Sequence, residues 1–408
     1  MNFAILSFII GFILQFEALF LLLPWIVGMI YGEYHVALIY LVTAAVCFIL
    51  GKLLSFRHTG RFKELYVREG FTAVALGWFV MSVFGAIPFV LTGEIPFYID
   101  ALFETISGFT TTGSSILSDV EALSYASLFW RSFTHWIGGM GVFVFIMAIL
   151  PMMGGSTMNL MRAESPGPSV SKLVPRVRDT AKILYGLYMA ITVLGVIMLC
   201  LCGMPLFDSL CTTFGSVGTG GFGVKNSSIG GYSPLIQNAV TVLMILSGVN
   251  YTVYFCLLSR QFKEAFSIEE VRWYFLIIFA SALTIAWNIR PLYATLGETL
   301  RHSFFQVGTI ITTTGYVAAI VEDDPSASDD DRSLCRQYRW RYKGIPCADP
   351  LQGDPQGAVH DDPSPDGEKD QDGRTQSVPR DASFHQCLYD GLFYRTLRFP
   401  ADRLSGRI

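Results

Sequence analysis

The sequence predicts an all-α polytopic membrane protein, on three observations. The 408 residues are 52% hydrophobic, 14% aromatic and only 15% charged. Lys, Arg, Asp and Glu are gathered into a few short segments between apolar runs long enough to cross a bilayer. Between some of these runs lie shorter apolar segments that each end in a Thr/Gly loop. Span, half-helix, glycine turn and second span form the basic unit of a cation pore, because backbone carbonyls can replace an ion's hydration shell. With a net charge of −4, no nucleic-acid partner is expected.

Apolar windows fall at 3–30, 35–55, 71–92, 128–151, 181–203, 235–258 and 272–290, which reads as seven full spans. Met1 to Ile30 has neither a basic n-region nor a small-residue cleavage site, so it reads as a retained span rather than a signal peptide. Segments at 100–110, 205–216 and 299–311 are too short to cross and read as re-entrant half-helices. The chain then divides into five parts. Residues 1–68 are two N-terminal spans with a basic loop, 69–180 a first pore repeat with its linker, 181–271 a second repeat and 272–319 a partial third. Residues 1–319 hold 17 Lys and Arg against 16 Asp and Glu, whereas 320–408 hold 12 against 17. That last part is an acidic, proline-bearing tail without a span, expected to be disordered.

Loop charges give an orientation. Lys52, Arg57, Arg61, Lys63 and Arg68 follow the second span, and Arg162, Lys172, Arg176, Arg178 and Lys182 follow the fourth. Arg260, Lys263 and Arg272 lie between the sixth and seventh, while the opposite side holds only Arg131, Lys225, Arg290 and Arg301. The excess of positive charge in cytoplasmic loops puts the N-terminus inside, and all three Thr/Gly loops then enter from outside. Cys47, Cys200, Cys202, Cys211 and Cys256 lie in or beside apolar spans without a CxxC pair and read as small core hydrophobes.

The three loops are Phe109-Thr110-Thr111-Thr112-Gly113, Ser216-Val217-Gly218-Thr219-Gly220-Gly221 and Ile311-Thr312-Thr313-Thr314-Gly315-Tyr316. Asp100 precedes Gly113 by thirteen positions and His302 precedes Gly315 by thirteen, whereas Asp208 to Gly220 is one shorter. Irregular backbone at membrane depth survives only where protein buries it or where it lines a watery cavity. Internal repeats with interrupted helices point to a transport site near the midplane. The candidate ion-binding residues are therefore Thr111, Thr112 and Gly113; Gly218, Thr219 and Gly220; and Thr313, Thr314 and Gly315. The glycines allow φ > 0 and close packing about an axis, the threonines offer carbonyl oxygens, and the half-helix C-termini direct partial negative charge at the same space. A lone Thr-Thr-Gly is usually a kink or a packing notch; three copies on one side are not.

Other polar residues keep two readings each. Glu104 and Asp208 on the half-helices are ion ligands or braces for the loops. His135 and His302 are proton relays or satisfied structural histidines. Gly138-Gly139-Met140-Gly141 lets another helix approach closely or marks a bend below the loops. Ser247-Gly248-Val249-Asn250 interrupts the sixth span, where Asn250 lines the path or links helices. An intramembrane hydrolase using Ser107 or Ser114 with His135 is a rival class, but one nucleophile has no use for three equivalent loops. A Na⁺-coupled symporter shares broken helices, yet usually carries inverted repeats, and these all face the same way.

Phe109 to Gly113, Trp136-Ile-Gly-Gly-Met-Gly141, Val217-Gly-Thr-Gly-Gly-Phe222 and Ile311 to Tyr316, in this order, resemble the TrkH/TrkG potassium-uptake family of the Trk/Ktr/HKT superfamily. The likeness covers nearly all of residues 1–319. It implies a multi-pass inner-membrane subunit of four pseudo-repeats around one K⁺ pore, with K⁺ as the transported ion and no covalent cofactor or enzymatic activity. It further implies a homodimer gated by a cytoplasmic nucleotide-binding partner of the TrkA type, with Gly113, Gly220 and Gly315 as filter glycines. A Na⁺ or Na⁺-coupled transporter of the same superfamily is the alternative. One glycine per loop, against two in the TVGYG loops of K⁺ channels, implies a looser filter.

The chain departs from this family after about Ala319. The pattern continues there with the rest of repeat three, a glycine-rich gate loop and a fourth repeat, whereas this chain runs into Glu322-Asp323-Asp324-Pro325. Codons permitted for Ser333 to Pro346 yield a gate-loop-like glycine run when read one base later. Val321 to Arg332 and His360 to Gly373 likewise permit an apolar span and a basic linker. A frameshift near Ala319 is therefore expected, leaving two complete repeats and one partial and a chain inactive for want of the remaining walls.

Overall fold

A computed structural model describes residues 3–56, 67–141 and 177–318. The tail expected over 320–408, and most of the linkers at 57–66 and 142–176 with their basic residues, lie outside the described residues. Within them every regular element is helical.

The first two helices are α1 (Phe3–Tyr31) and α2 (Tyr34–Phe56), joined at Gly32, whose φ of 78° a side chain would strain. At about 1.5 Å per residue each exceeds the roughly 30 Å of a hydrocarbon core. They cross where Gly11 meets Gly51: a Cβ on Gly11 would lie 2.7 Å from the Gly51 carbonyl oxygen, and one on Gly51 2.6 Å from that of Gly11. Small residues let backbones approach where lipid supplies no hydrophobic drive.

The first repeat follows. Helix α3 (Val67–Gly85) continues past Ala86 into α4 (Ile87–Leu91), and the half-helix α5 (Tyr98–Phe109) leads to its loop and then to α6 (Tyr125–Met140). Ser124 caps α6 by accepting from the Ser127 amide. The second repeat has α7 (Val177–Leu201), half-helix α8 (Leu206–Val217), α9 (Pro234–Ser247) and α10 (Tyr251–Leu258). A short α11 (Phe262–Ser267) precedes α12 (Glu269–Ile289), a 3₁₀ turn and half-helix α13 (Leu296–Ile311), which begins in a Thr295/Glu298 capping box. The three half-helices, at 98–109, 206–217 and 296–311, lie within three residues of the expected 100–110, 205–216 and 299–311.

One of the seven expected spans is not a single helix, and the fourth is described only in part. Among the described residues five segments are long and apolar enough to cross by themselves: Leu6–Tyr31, Tyr34–Phe56, Thr72–Leu91, Ile183–Leu201 and Glu269–Leu292. In the fourth window α6 ends at Met140, with Gly141 at φ 65°, and residues 142–151 lie outside the described residues; the sixth bends by 89° between Ser247 and Tyr251. The sixth breaks because its free carbonyls find other donors. Tyr274 donates to Ile245 O at 2.9 Å and Tyr254 to Leu246 O, while Asn250 caps α10 by accepting from the Thr252 amide at 3.0 Å.

The core lies around α5, α6 and α8. Helix α6 is buried along most of its length, and Phe214 of α8 packs against Phe129, Phe133 and Trp136. Outer faces are apolar instead, with Ile49 64%, Leu194 65% and Trp287 87% exposed. Exposed apolar faces on long helices suit lipid rather than water.

Candidate functional site

Each half-helix ends in the same backbone form. The first residue past the helix keeps an α-helical bond: Thr110 N to Ile106 O, Gly218 N to Phe214 O and Thr312 N to Gly308 O. The next residue is a threonine at positive φ in all three loops, Thr111 at 53°, Thr219 at 54° and Thr313 at 59°. Two residues later comes a glycine at positive φ, Gly113 at 73°, Gly221 at 80° and Gly315 at 83°. A β-branched residue in the left-handed region is an outlier, and such strain persists only where surroundings over-determine it. In the first and third loops the flanking hydroxyls repeat as well, with Thr110 to Thr112 at 2.8 Å and Thr312 to Thr314 at 2.7 Å.

This register corrects the second loop. The residue equivalent to Gly113 and Gly315 is Gly221, not Gly220, and the equivalent triplet is Thr219, Gly220, Gly221 rather than Gly218, Thr219, Gly220. Asp208 then precedes its glycine by the same thirteen positions as Asp100 and His302 do theirs. Gly218 takes the place of Thr110 and Thr312, and a Cβ added there would overlap the carbonyl oxygen of His135.

The loops touch in sequence. A Cβ on Gly113 would overlap the carbonyl oxygen of Gly220, and one on Gly221 would overlap that of Thr314. These are the same contact one repeat apart, from a loop glycine to the carbonyl preceding the next loop's glycine. Around Gly315, among the described residues, nothing lies within 4 Å of an added Cβ. Gly220 is buried, whereas Thr112, Thr313 and Gly315 are exposed. Among the described residues the middle loop has a neighbouring loop on each side, and the outer loops each have one.

Helix α6 supports the loops from below. A Cβ on Gly138 would overlap the Phe109 carbonyl oxygen, and one on Gly139 would lie 2.7 Å from Gly218 Cα and 2.7 Å from the Tyr188 hydroxyl. The glycine run therefore admits two loop entries, not only another helix. The loop exits are tied in the same order. Asn226 accepts from Val120 N at 2.7 Å and donates to Asp119 and Glu121, while Val317 O accepts from Ile229 N at 3.0 Å and Gly230 N at 3.1 Å.

The polar candidates Glu104, Asp208 and Asn250 are each hydrogen-bonded within the protein. Glu104, 1% exposed, accepts from Ser115 Oγ at 2.9 Å, from Ile116 N at 3.0 Å and from Arg131 Nε. Arg131 is thus no outer-loop charge: it is a 3% exposed partner inside α6, and its Nη1 also donates to Gly223 O at 3.0 Å. Two charges inside apolar windows, 27 residues apart, were the available sequence signal for this pair. Asp208 accepts from the Tyr232 hydroxyl at 2.8 Å; burial first, then this bond, raises that hydroxyl's pKa and keeps it a donor. Asn250 joins α10 to α12 by donating to Glu270 at 3.1 Å.

His135 is buried, but neither ring nitrogen has a hydrogen-bond partner among the described residues; its ring packs on Gly220 and lies edge-on to Phe222 at 4.0 Å. The expectation of a satisfied histidine does not hold. Ser107 Oγ is likewise unpartnered, so no Ser107–His135 hydrogen bond exists of the kind a hydrolase nucleophile needs. His302 stacks on Tyr293 and meets Arg301 at 3.3 Å. The described cysteines are free, and among the described residues no His/Cys/Asp/Glu cluster suits a metal ion.

Comparison with known proteins agrees with the fold. Residues 40–295 match the TrkH family, described as cation transport proteins, which is not an enzyme family. The chain is 35% identical over 323 residues to the Trk system potassium uptake protein TrkH of Salmonella typhimurium, covering 78% of this chain and 66% of that protein. It is 32% identical over 312 residues to the potassium uptake protein TrkG of Escherichia coli, covering 75% and 64%. The crystal structure of the potassium transporter TrkH from Vibrio parahaemolyticus superposes with a TM-score of 0.68 at 27% identity, covering 78% of this chain and 66% of that one. The chain thus spans about two thirds of the length of the relatives it matches. On this match and on its apolar spans, it is a multi-pass membrane protein of the TrkH cation transport family.

Proposed function

We propose that residues 1–318 form three walls of a potassium-uptake pore, as part of the membrane subunit of a Trk-type system. K⁺ enters from outside, sheds water onto the carbonyls of Thr111–Gly113, Thr219–Gly221 and Thr313–Gly315, and leaves past a constriction on the cytoplasmic side. The observation that carries this reading is the repeated contact from Gly113 to Gly220 and from Gly221 to Thr314, which sets three strained Thr/Gly turns side by side. Carbonyls held in such an arc can replace hydration water without reorganising. Potassium is the ion named for the relatives. An inner-membrane location, a cytoplasmic N-terminus, a homodimer and a TrkA-type nucleotide-binding partner go with the same reading.

Among the described residues the arc is open beside Gly315, and the sequence after Ala319 carries no apolar span to close it. The 408-residue chain is accordingly proposed to be inactive alone, with its native continuation lying one base out of frame. Growth of a K⁺-uptake-deficient host on low K⁺ tests both parts. The chain as written fails to rescue, and the chain with the alternative frame restored after Ala319 rescues and takes up Rb⁺. Rescue by the chain as written would show that three loops suffice; no uptake by the restored chain would remove the potassium reading.

A further inference from the structure

The residue after each loop glycine is Ser114, Phe222 or Tyr316. The two aromatic ones are each 1% exposed and reach onto the preceding repeat. Phe222 of the second loop packs on the first: its ring lies 3.6 Å from the Arg131 guanidinium, edge-on to His135, and 3.6 Å from where a Cβ on Gly108 would be. Tyr316 of the third loop packs on the second, donating its hydroxyl to Thr212 O at 3.0 Å, with Phe222 O at 3.4 Å. Gly215 leaves room for that hydroxyl, since a Cβ there would overlap it.

These contacts form one continuous line. Tyr316 holds the main chain of Phe222, the Phe222 ring lies under Arg131, Arg131 pairs with Glu104, and Glu104 accepts from Ser115 and Ile116 of the first loop. Arg131 also donates to Gly223, so the second loop is held through both a side chain and a carbonyl. Tyr316, Arg131 and Glu104 each bond loop backbone, and the Phe222 ring joins them through Arg131.

We propose that Tyr316 and Phe222 are positioning residues that fix the spacing between neighbouring loops and thereby set which alkali cation the carbonyls prefer. The inference rests on the cation-pore reading above. Discrimination between cations by carbonyl ligands depends on how the ligands are held, in number, distance and field strength. A tyrosine hydroxyl bonded across repeats holds that distance without touching the ion.

The test uses the purified 408-residue chain in detergent. Thermal unfolding is followed at constant ionic strength in KCl, RbCl, NaCl and choline chloride, together with amide hydrogen exchange over 212–223. The unaltered chain is expected to be protected more by K⁺ and Rb⁺ than by Na⁺. Tyr316→Phe is expected to keep its helix content and its stability rank in choline, to lose K⁺-over-Na⁺ preference by about fivefold, and to speed exchange at Gly220–Gly223. Phe222→Leu, which keeps an apolar side chain, moves the preference in the same direction. If the unaltered chain prefers K⁺ while both variants keep that preference and their exchange rates, the positioning claim is overturned and the pore reading survives. If the unaltered chain is indifferent to the cation, the three loops hold no selective site and the selectivity claim fails, whereas the pore reading stands or falls with Rb⁺ uptake by the frame-restored chain.

Discussion

Gly113 and Gly220 meet so closely that no side chain fits between them: a Cβ on the first would occupy the carbonyl oxygen of the second. The same relationship recurs between Gly221 and Thr314, and Gly315 has no such neighbour among the described residues. The cost of filling these positions should therefore differ. Gly315→Ala should lose only the left-handed strain of about 1–2 kcal/mol, whereas Gly221→Ala adds an overlap with backbone that cannot swing away. Thermal unfolding of the two variants checks the order, and equal losses would count against the register of the second loop.

The pair Glu104–Arg131 is buried on both sides. Removing one partner strands the other, so Glu104→Gln should destabilise by about 3–5 kcal/mol, as should Arg131→Met. Replacing both together, as Glu104→Gln with Arg131→Met, should cost less than the sum of the singles. A double-mutant cycle on unfolding free energies measures this, and strict additivity would show that the two do not act as a unit.

Gly215 and the Tyr316 hydroxyl compete for one space. Gly215→Ala alone should be strongly destabilising, because the new methyl collides with a bonded hydroxyl. Combined with Tyr316→Phe, part of that loss should return, since the atom in the way has gone. Melting temperatures of the two singles and the double decide it; no recovery in the double would mean that the hydroxyl is not what excludes a side chain there.

Much of this was legible in the sequence, for identifiable reasons. The half-helices at 98–109, 206–217 and 296–311 were readable because each is a short apolar segment closed by Thr and Gly. The exact register of the second loop was not, because Gly218, Gly220 and Gly221 give three glycines to choose from and only their backbone angles separate them. Arg131 was taken for a loop charge because it sits near the start of its apolar window, although Glu104 in another window was a partner in waiting. Asn250 was legible as a break but not as a helix cap, since capping depends on where α10 begins. His135 was expected to be satisfied by a hydrogen bond and instead is held by packing against Gly220 and Phe222.

The frame proposed beyond Ala319 is checked by the nucleotide sequence around codons 315–325. Reading one base later should encode an apolar span, then a glycine-rich stretch, then a basic linker. A second frame without an apolar span would end the frameshift account and leave the acidic tail as part of the native chain.

Anomalous diffraction from crystals grown in Rb⁺ bears most directly on the arc of carbonyls. A single Rb⁺ peak should lie against main-chain oxygens of Thr111–Thr112, Thr219–Gly220 and Thr313–Thr314 together. A peak bound by one loop alone, or none near Gly113, Gly221 and Gly315, would contradict a shared cation site.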